Sequence, residues 1–328
     1  MAQSSVTLFG VVDAGYAVGK GATNKTQLAT DRIGSSRLGF RGVEDLGGGM
    51  RAEFWLEAGV ANDSGAGSAT NSNNQAVTGL TSAGTQGLTF NRKSTVGLVG
   101  SMGEIRLGRD YSPQFYPDAQ YDPFGTNGVA SSLIAYGGGL TAVRASNMIA
   151  YHSPNVGGFT VMLGSYMGEN NTGATVGKAG DGNGIHVRYA NGPLAAGIAT
   201  GTTKTSATTE VKTSTMGASY NLGVATLMVN SNTVSNTGAA DLKGSMIGAH
   251  VPMAGGTFRI SSASLKQGAA ETKRTSVGFV KPLSKRTDLY ATYARNANSG
   301  GAARGLNGAV TAANASSTGY DFGVKHTF

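Results

Sequence analysis

Tyr320-Asp-Phe-Gly-Val-Lys-His-Thr-Phe328 sets Tyr320, Phe322, Val324, His326 and Phe328 against Asp321, Gly323, Lys325 and Thr327. Side chains in a strand point alternately to its two faces, so this segment has one apolar face and one wet face. In a sandwich, that alternation separates core from solvent. A strand that runs flush to a terminal Phe, with no polar tail, fits a barrel wall better, the apolar face meeting lipid and the wet face a water-filled lumen.

The same period of two recurs upstream. Leu38 and Phe40 oppose Arg37 and Arg41. Ala52, Phe54 and Leu56 oppose Arg51, Glu53, Trp55 and Glu57. Phe159, Val161 and Leu163 oppose Thr160 and Met162; Ile185, Val187 and Tyr189 oppose His186 and Arg188; Phe258 and Ile260 oppose Thr257 and Arg259; Val277 and Phe279 oppose Arg274 and Ser276. The charges therefore collect on one face. Segments such as Val6 to Val18, Thr89 to Gly100 and Thr318 to Phe328 have the length a tilted strand needs to span a bilayer, whereas Ile185 to Ala190 is short.

The connections fall into two alternating size classes. Short ones are Glu44-Asp-Leu-Gly-Gly-Gly49, Gly100-Ser-Met-Gly103, Ser153-Pro-Asn-Val-Gly-Gly158, Asn191-Gly-Pro193, Asn221-Leu-Gly223, Pro252-Met-Ala-Gly-Gly256 and Pro282-Leu-Ser-Lys285. Their Gly, Asn and Pro chemistry marks tight hairpins. Longer polar segments lie near 19–34, 61–88, 112–146, 169–183, 203–211, 232–241, 266–272 and 297–315. Seven short turns and eight long loops join sixteen strands and put both termini on the short-turn side. The expected fold is all-β, a 16-stranded antiparallel transmembrane β-barrel formed by residues 1–328 as a single domain.

Composition agrees. No run of about 20 apolar residues marks a membrane helix, and a barrel needs only every second wall residue to be apolar, so its mean hydropathy looks soluble. The chain holds 52 Gly, 7 Pro and no Cys, which suits tight turns and small-residue strand packing and leaves barrel closure to supply stability. The formal net charge is +8, yet Lys and Arg are spread along the chain with no run of five or more. That pattern points to the potential of a pore and gives no reason to expect nucleic acid as a partner. Met1-Ala-Gln-Ser-Ser has no charged segment followed by an apolar one, so no signal peptide is read here and Met1 is expected to be an added start on a mature form.

Ser35-Ser-Arg-Leu-Gly-Phe-Arg-Gly-Val-Glu-Asp-Leu-Gly-Gly-Gly-Met-Arg-Ala-Glu-Phe-Trp-Leu-Glu57 resembles the trimeric Gram-negative porins, most closely their neisserial and beta-proteobacterial branch. Ser5-Val-Thr-Leu-Phe-Gly-Val-Val-Asp-Ala-Gly15, Gly108-Arg-Asp-Tyr111 and Gly323-Val-Lys-His-Thr-Phe328 look like the same family, so the resemblance covers the whole chain. It implies an outer-membrane homotrimer in contact with outer-membrane lipid, passive diffusion of small hydrophilic solutes and ions, and a third long loop folded inward as a constriction. It also implies that the terminal aromatic, Phe328, is an assembly signal for the outer-membrane assembly machinery.

Segment 112–146 is independently unusual as the longest connection, and a loop of that length is functional or disordered. Its aromatics Phe115, Tyr116, Tyr121, Phe124 and Tyr136 favour a packed loop. Asp122-Pro-Phe-Gly125 stands where the family has a Pro-Glu-Phe-Gly tip, with the acid before the proline. Asp118 and Asp122 are four apart, so on a helical turn both could face the pore. Opposite them the resemblance places wall arginines at Arg37, Arg92 and Arg144. For Arg92 the strand pattern leaves Lys93 as a competitor for the inward face; for Arg144 a loop-anchoring ion pair is an equal reading. Further lumen cations by parity are Arg41, Arg51, Arg106, Arg188, Arg259, Arg274 and Lys325, against Asp13, Glu53, Glu57, Glu104, Asp288 and Asp321. Basic residues outnumber acidic ones 26 to 18, which leans toward anion preference.

Two other functions stay open at this stage, a soluble all-β binding protein or adhesin and an outer-membrane barrel hydrolase. His152, His186, His250 and His326 are isolated, with no metal-ligand spacing and no sequence pairing of nucleophile and base. No Walker loop or dinucleotide fingerprint is present, and Gly137-Gly-Gly139 lies in a loop. No enzyme, metal or cofactor is therefore expected.

Overall fold

The computed structural model describes residues 5–75, 87–132, 139 and 141–328. Met1, Tyr136, Gly137 and the middle of the 61–88 loop lie outside the described residues. In chain order the elements are β1 (Ser5–Lys20), β2 (Lys25–Thr30), β3 (Arg37–Gly47), β4 (Met50–Ala61), β5 (Ala66–Gly67), β6 (Lys93–Gly100) and β7 (Gly103–Tyr111). A 3₁₀ turn (Pro113–Phe115) and the helix α1 (Tyr116–Tyr121) follow, then β8 (Arg144–His152), β9 (Phe159–Tyr166), β10 (Gly182–Asn191), β11 (Leu194–Lys204) and β12 (Glu210–Asn221). The chain finishes with β13 (Thr226–Asn236), β14 (Leu242–Met253), β15 (Gly256–Gln267), β16 (Ala270–Pro282), β17 (Thr287–Ser299) and β18 (Ser317–Thr327).

Each wall strand pairs antiparallel with its sequence neighbour, and β18 returns to β1 with Val12 opposite His326 and Lys20 opposite Thr318. β2 and β3 are two parts of one wall strand, because both pair with β1, through Ala14–Gly19 and Ser5–Val11 respectively. β5 is a two-residue spur on β4. The result is a closed barrel of 16 antiparallel strands, as expected from the alternation.

The last strand has the two faces its sequence demands: Phe322 is 61% exposed on the outside and Asp321 1% exposed within. Closure is completed by Phe328. Its backbone exchanges hydrogen bonds with Gly10 (3.0 and 3.1 Å), and its ring fills the space a Cβ at Gly10 would need, 2.3 Å from Cζ. Gly10 is therefore covered by its own chain terminus. Outward apolar residues continue around the wall, among them Leu8, Val96, Leu107, Ile149, Ile198 and Ile247. Among the described residues no helix is long and apolar enough to cross a membrane.

Several boundaries differ from the sequence reading. The first loop shrinks to 21–24, because the polar Lys25–Thr30 segment pairs with β1, and the predicted loops at 203–211, 232–241 and 266–272 shorten to 205–209, 237–241 and 268–269, their ends joining the strands. Lys266 faces Glu271, for example, and Gln267 faces Ala270 across a two-residue connection. Their Thr, Ser and Lys content reads as loop, but ladder hydrogen bonds are made by the backbone and survive wherever both faces of the wall are wet. β10 is a full ten-residue strand, its Gly182-Asn-Gly184 start hidden by composition. β6 begins only at Lys93, so Arg92 sits in the bend before it.

The break between β2 and β3 positions part of the lumen. Asp31 takes the left-handed conformation (φ 63°) and accepts the Ser36 N–H at 2.6 Å. The Asp13 carboxylate, fully buried, accepts the N–H groups of Ile33 (2.6 Å) and Gly34 (2.7 Å) and the Tyr290 hydroxyl. Those bonds satisfy backbone groups that have left the ladder.

Candidate pore constriction

Between β7 and β8 the chain leaves the wall and crosses the barrel interior. It starts with Pro113 in the first turn of the 3₁₀ segment, a position where the missing N–H costs nothing, and continues as α1. This segment can approach the wall because the inner row there is largely glycine. A Cβ at Gly164 would lie 3.0 Å from Pro113, at Gly201 2.3 Å from the Gln114 amide oxygen, and at Gly217 2.5 Å from the Tyr121 ring. Farther on, a Cβ at Gly248 would lie 2.6 Å from Pro123 and at Gly278 3.0 Å from Phe124. These glycines form a trough on β9 to β16 in which the loop lies.

Side chains from the wall then bind loop carbonyls. Asn230 donates to Pro117 O (3.2 Å) and to the Asp118 carboxylate (3.0 Å). His250 Nε2 donates to Pro123 O at 2.6 Å, and Arg274 donates to Ser131 O. Asp321 accepts the Val129 N–H at 2.8 Å. Phe124, Val129 and Ala130 pack with Ala294 and Leu306 into a small buried apolar cluster. The described part of the loop is therefore a fixed obstruction, and its packing aromatics include Phe115, Tyr121 and Phe124.

Across the lumen, the three expected arginines come together around one acid. Arg37 (3.4 Å) and Arg92 (2.6 Å) both pair with the same Glu57 oxygen. Arg144 lies 4.7 Å over the Tyr111 ring, donates to its hydroxyl at 3.3 Å, and has Arg92 and Glu57 among its charged neighbours. Lys93 shares the inward side with Arg92, pairing with Asp110 at 3.1 Å and lying 4.8 Å over Trp55.

The two loop acids do not face these arginines. Asp118 is 2% exposed and turned to Asn230 on β13, the far wall. Asp122 is 5% exposed and accepts Phe124 N (2.8 Å), Thr126 N (2.9 Å), Ser132 N (3.0 Å) and Ser132 Oγ (2.7 Å), stapling the loop tip. The expectation that both carboxylates look into the passage is corrected. An acid before Pro123 can bond the N–H groups that follow the turn, and those donors take it.

A cavity of about 420 Å³ lies between wall and loop, lined by Arg37, Arg92, Tyr111 and Lys325 on one side and by Ala119, Gly125, Thr126 and Asn127 on the other. Gly34 and Ser35 from the β2–β3 break complete it, with Ser35 Oγ 2.8 Å from the Asn127 side-chain oxygen. Sequence reasoning missed the break as a lining element, the sharing of Glu57, and the glycine trough. Strand parity does hold the signal for Glu57, which shares the inner face with Arg51 and Trp55.

Residues 1–301 match the family model described as Gram-negative porin. The chain is 36% identical over 352 residues to outer membrane porin protein 32 of Delftia acidovorans, covering all of this chain and 95% of the relative. A gonococcal (Neisseria gonorrhoeae) major outer membrane protein P.IB is 27% identical over 53% of this chain and 46% of its own length. Among solved structures, an anion-selective porin from Comamonas acidovorans superposes with a TM-score of 0.86 at 34% identity, covering 99% of this chain and all of that one.

Proposed function

Because the chain belongs to the Gram-negative porins, non-enzymatic channels of the outer membrane, we propose that loop 112–146 is its constriction and that Arg37, Arg92 and Arg144 make the narrowed section prefer anions. The protein is an outer-membrane porin, a water-filled path for small hydrophilic solutes and ions. What carries the anion reading is the charge left over where the wall faces the loop edge across the cavity. Arg37 and Arg92 share one carboxylate, Lys325 is offset by Asp288 at 2.8 Å, and the facing loop edge presents Ala119 and Gly125 to Asn127 with its acids turned away. A fixed positive surplus inside low-dielectric walls attracts anions and repels cations. The relative of known structure is itself described as anion-selective.

A homotrimer is the assembly that fits this fold, with apolar outer residues of β1 such as Leu8 and Val12 available to a neighbouring copy. Phe328, edge-exposed at the closing seam, fits a segment read by the outer-membrane assembly machinery before the seam closes. Reversal potential across a planar bilayer under a salt gradient tests the central proposal. The expected sign is that of anion preference; a cation-preferring reversal potential overturns the assignment of the arginine section.

A further inference from the structure

We infer that Asn127 is a self-modification site: its side-chain amide, on the loop edge that faces Arg37 and Arg92, is poised to hydrolyse to a carboxylate through attack by the Gly128 backbone nitrogen. The effect on ion preference rests on the arginine reading given above; the reaction itself does not.

The step needs a nucleophile, an electrophile and water. The Gly128 nitrogen attacks Asn127 Cγ and gives up its proton to lumen water. The new N–Cγ bond closes a five-membered succinimide, the Cγ–Nδ2 bond breaks, and ammonia leaves. Water then opens the ring at Cγ, giving aspartate, or at the Asn127 backbone carbonyl, giving isoaspartate. The net change is amide plus water to carboxylate plus ammonium.

Each requirement is met at this turn. The Gly128 N–H donates no hydrogen bond among the described residues, so its nitrogen is not held by an acceptor. No side chain crowds its approach, and the fit keeps it so: Gly128 takes φ 66°, and a Cβ there would lie 2.0 Å from the Arg32 carbonyl oxygen, so only glycine serves. Ser35 Oγ donates to Asn127 Oδ1 at 2.8 Å. Nδ2 donates to Gly125 O at 2.6 Å, which fixes which way the amide points. A hydroxyl donor on the amide oxygen stabilises the negative charge that develops there when Cγ is attacked. Asn127 lines the cavity together with Arg37, Arg92 and Lys325, so water reaches it and the positive field favours an anionic intermediate and product.

The other three Asn-Gly pairs, at 183, 191 and 307, lack this combination. Gly184 lies in the β10 ladder and is paired on both sides. Asn307 has its amide nitrogen tied to Val18 O, Tyr320 O and the Asp321 carboxylate, so conversion there would set two carboxylates together. Asn191 donates to the Tyr189 hydroxyl at 3.3 Å, and among the described residues nothing donates to its side-chain oxygen.

The loop edge shows the arginines no acid, because Asp118 and Asp122 are turned away. A carboxylate at position 127 would supply one, offset part of the arginine charge, and lower anion preference as the protein ages.

The test incubates the full-length protein in detergent in warm neutral buffer. Peptide mass mapping follows amide-to-carboxylate conversion at the four Asn-Gly pairs, and reversal potential is read on early and late samples. Asn127 should convert ahead of Asn183 and Asn307. Ser35→Ala should slow conversion at Asn127 by about two- to tenfold, the factor one hydrogen bond is worth, and leave Asn191 unchanged. Late samples and fresh Asn127→Asp should both show a reversal potential moved toward cations. Asn127→Gln, whose longer side chain would have to close a six-membered ring, should keep its early value throughout. Conversion at Asn127 no faster than at Asn183, or a rate that Ser35→Ala leaves equal or raises, would overturn the site. Conversion as described with an unmoved reversal potential in Asn127→Asp would overturn the effect on selectivity, and with it the placing of Arg37 and Arg92 opposite this edge.

Discussion

The two sides of the barrel wall differ in what they turn inward. From β3 to β8 the inner row carries Arg37, Trp55, Glu57, Lys93, Arg106 and Asp110, tied to one another by ion pairs such as Arg106 to Asp110 at 2.6 Å and by Arg41 stacked between Phe9 and Trp55. From β9 to β16 it carries glycine at the positions where the loop touches. Long paired side chains hold the loop off and keep water in; glycines let it come within contact distance. The aperture thus lies on the arginine side for a steric reason as much as an electrostatic one. On the proposed reading, selectivity and pore width are set by opposite walls.

The largest expected effect comes from filling the trough. Gly217→Val would place a branched side chain where even Cβ lies 2.5 Å from Tyr121, and overpacking of that kind costs about 1–3 kcal/mol. The loop should lift, which melting temperature, protease sensitivity of the loop and single-channel conductance would all register. Unaltered conductance and stability would show that the glycines do not seat the loop.

Next comes the opposite wall. Arg37→Ala with Arg92→Ala removes two positive charges and leaves Glu57 with only Arg144 of the three arginines near it, so the local positive surplus is lost. Reversal potential should move toward cations, while conductance at 1 M salt, where the screening length is about 3 Å, stays equal or rises. An unchanged reversal potential would remove these arginines from the constriction.

Asp122→Asn sharpens the contrast by acting on the loop without touching either wall. Its Oδ2 accepts three hydrogen bonds, and an amide nitrogen in that place would face donors, leaving buried groups unsatisfied at about 1–3 kcal/mol. Protease sensitivity near the tip should rise, with a smaller selectivity change than in the double arginine variant. A selectivity shift as large as that variant's would mean the carboxylate reaches the passage after all. The smallest effect belongs to Lys325→Gln, whose charge Asp288 already offsets; a slight fall in anion preference is expected, and a shift matching the double variant would make Lys325 the principal filter.

Much of this was legible in residue order. The Phe322 and Asp321 faces, the strand count, and the gathering of Arg37, Arg41, Glu53 and Glu57 on one side follow from the period of two. Lys25–Thr30 and the rim ends of β11 to β16 were not legible, because a strand wet on both faces has no hydropathy signal. For Arg92 and Lys93, parity could not choose an inward residue, and the structure turns both inward because Arg92 lies in a bend before the ladder begins.

What the sequence determined by itself is the closed wall. Alternation is local, each residue's face is fixed by its neighbours along the strand, and even Phe328 announces its outward side. What only the tertiary structure decided is where the loop's charges point. Asp118 is close in sequence to nothing that would turn it away from the lumen, and Asp122 has beside it only the Phe124 and Thr126 N–H groups. Asn230, more than a hundred residues later, takes the first, and the fold of the loop back to Ser132 takes the second. A buried carboxylate goes where its donors are, and donors brought from β13 or from the returning loop exist as neighbours only once the barrel has closed around them.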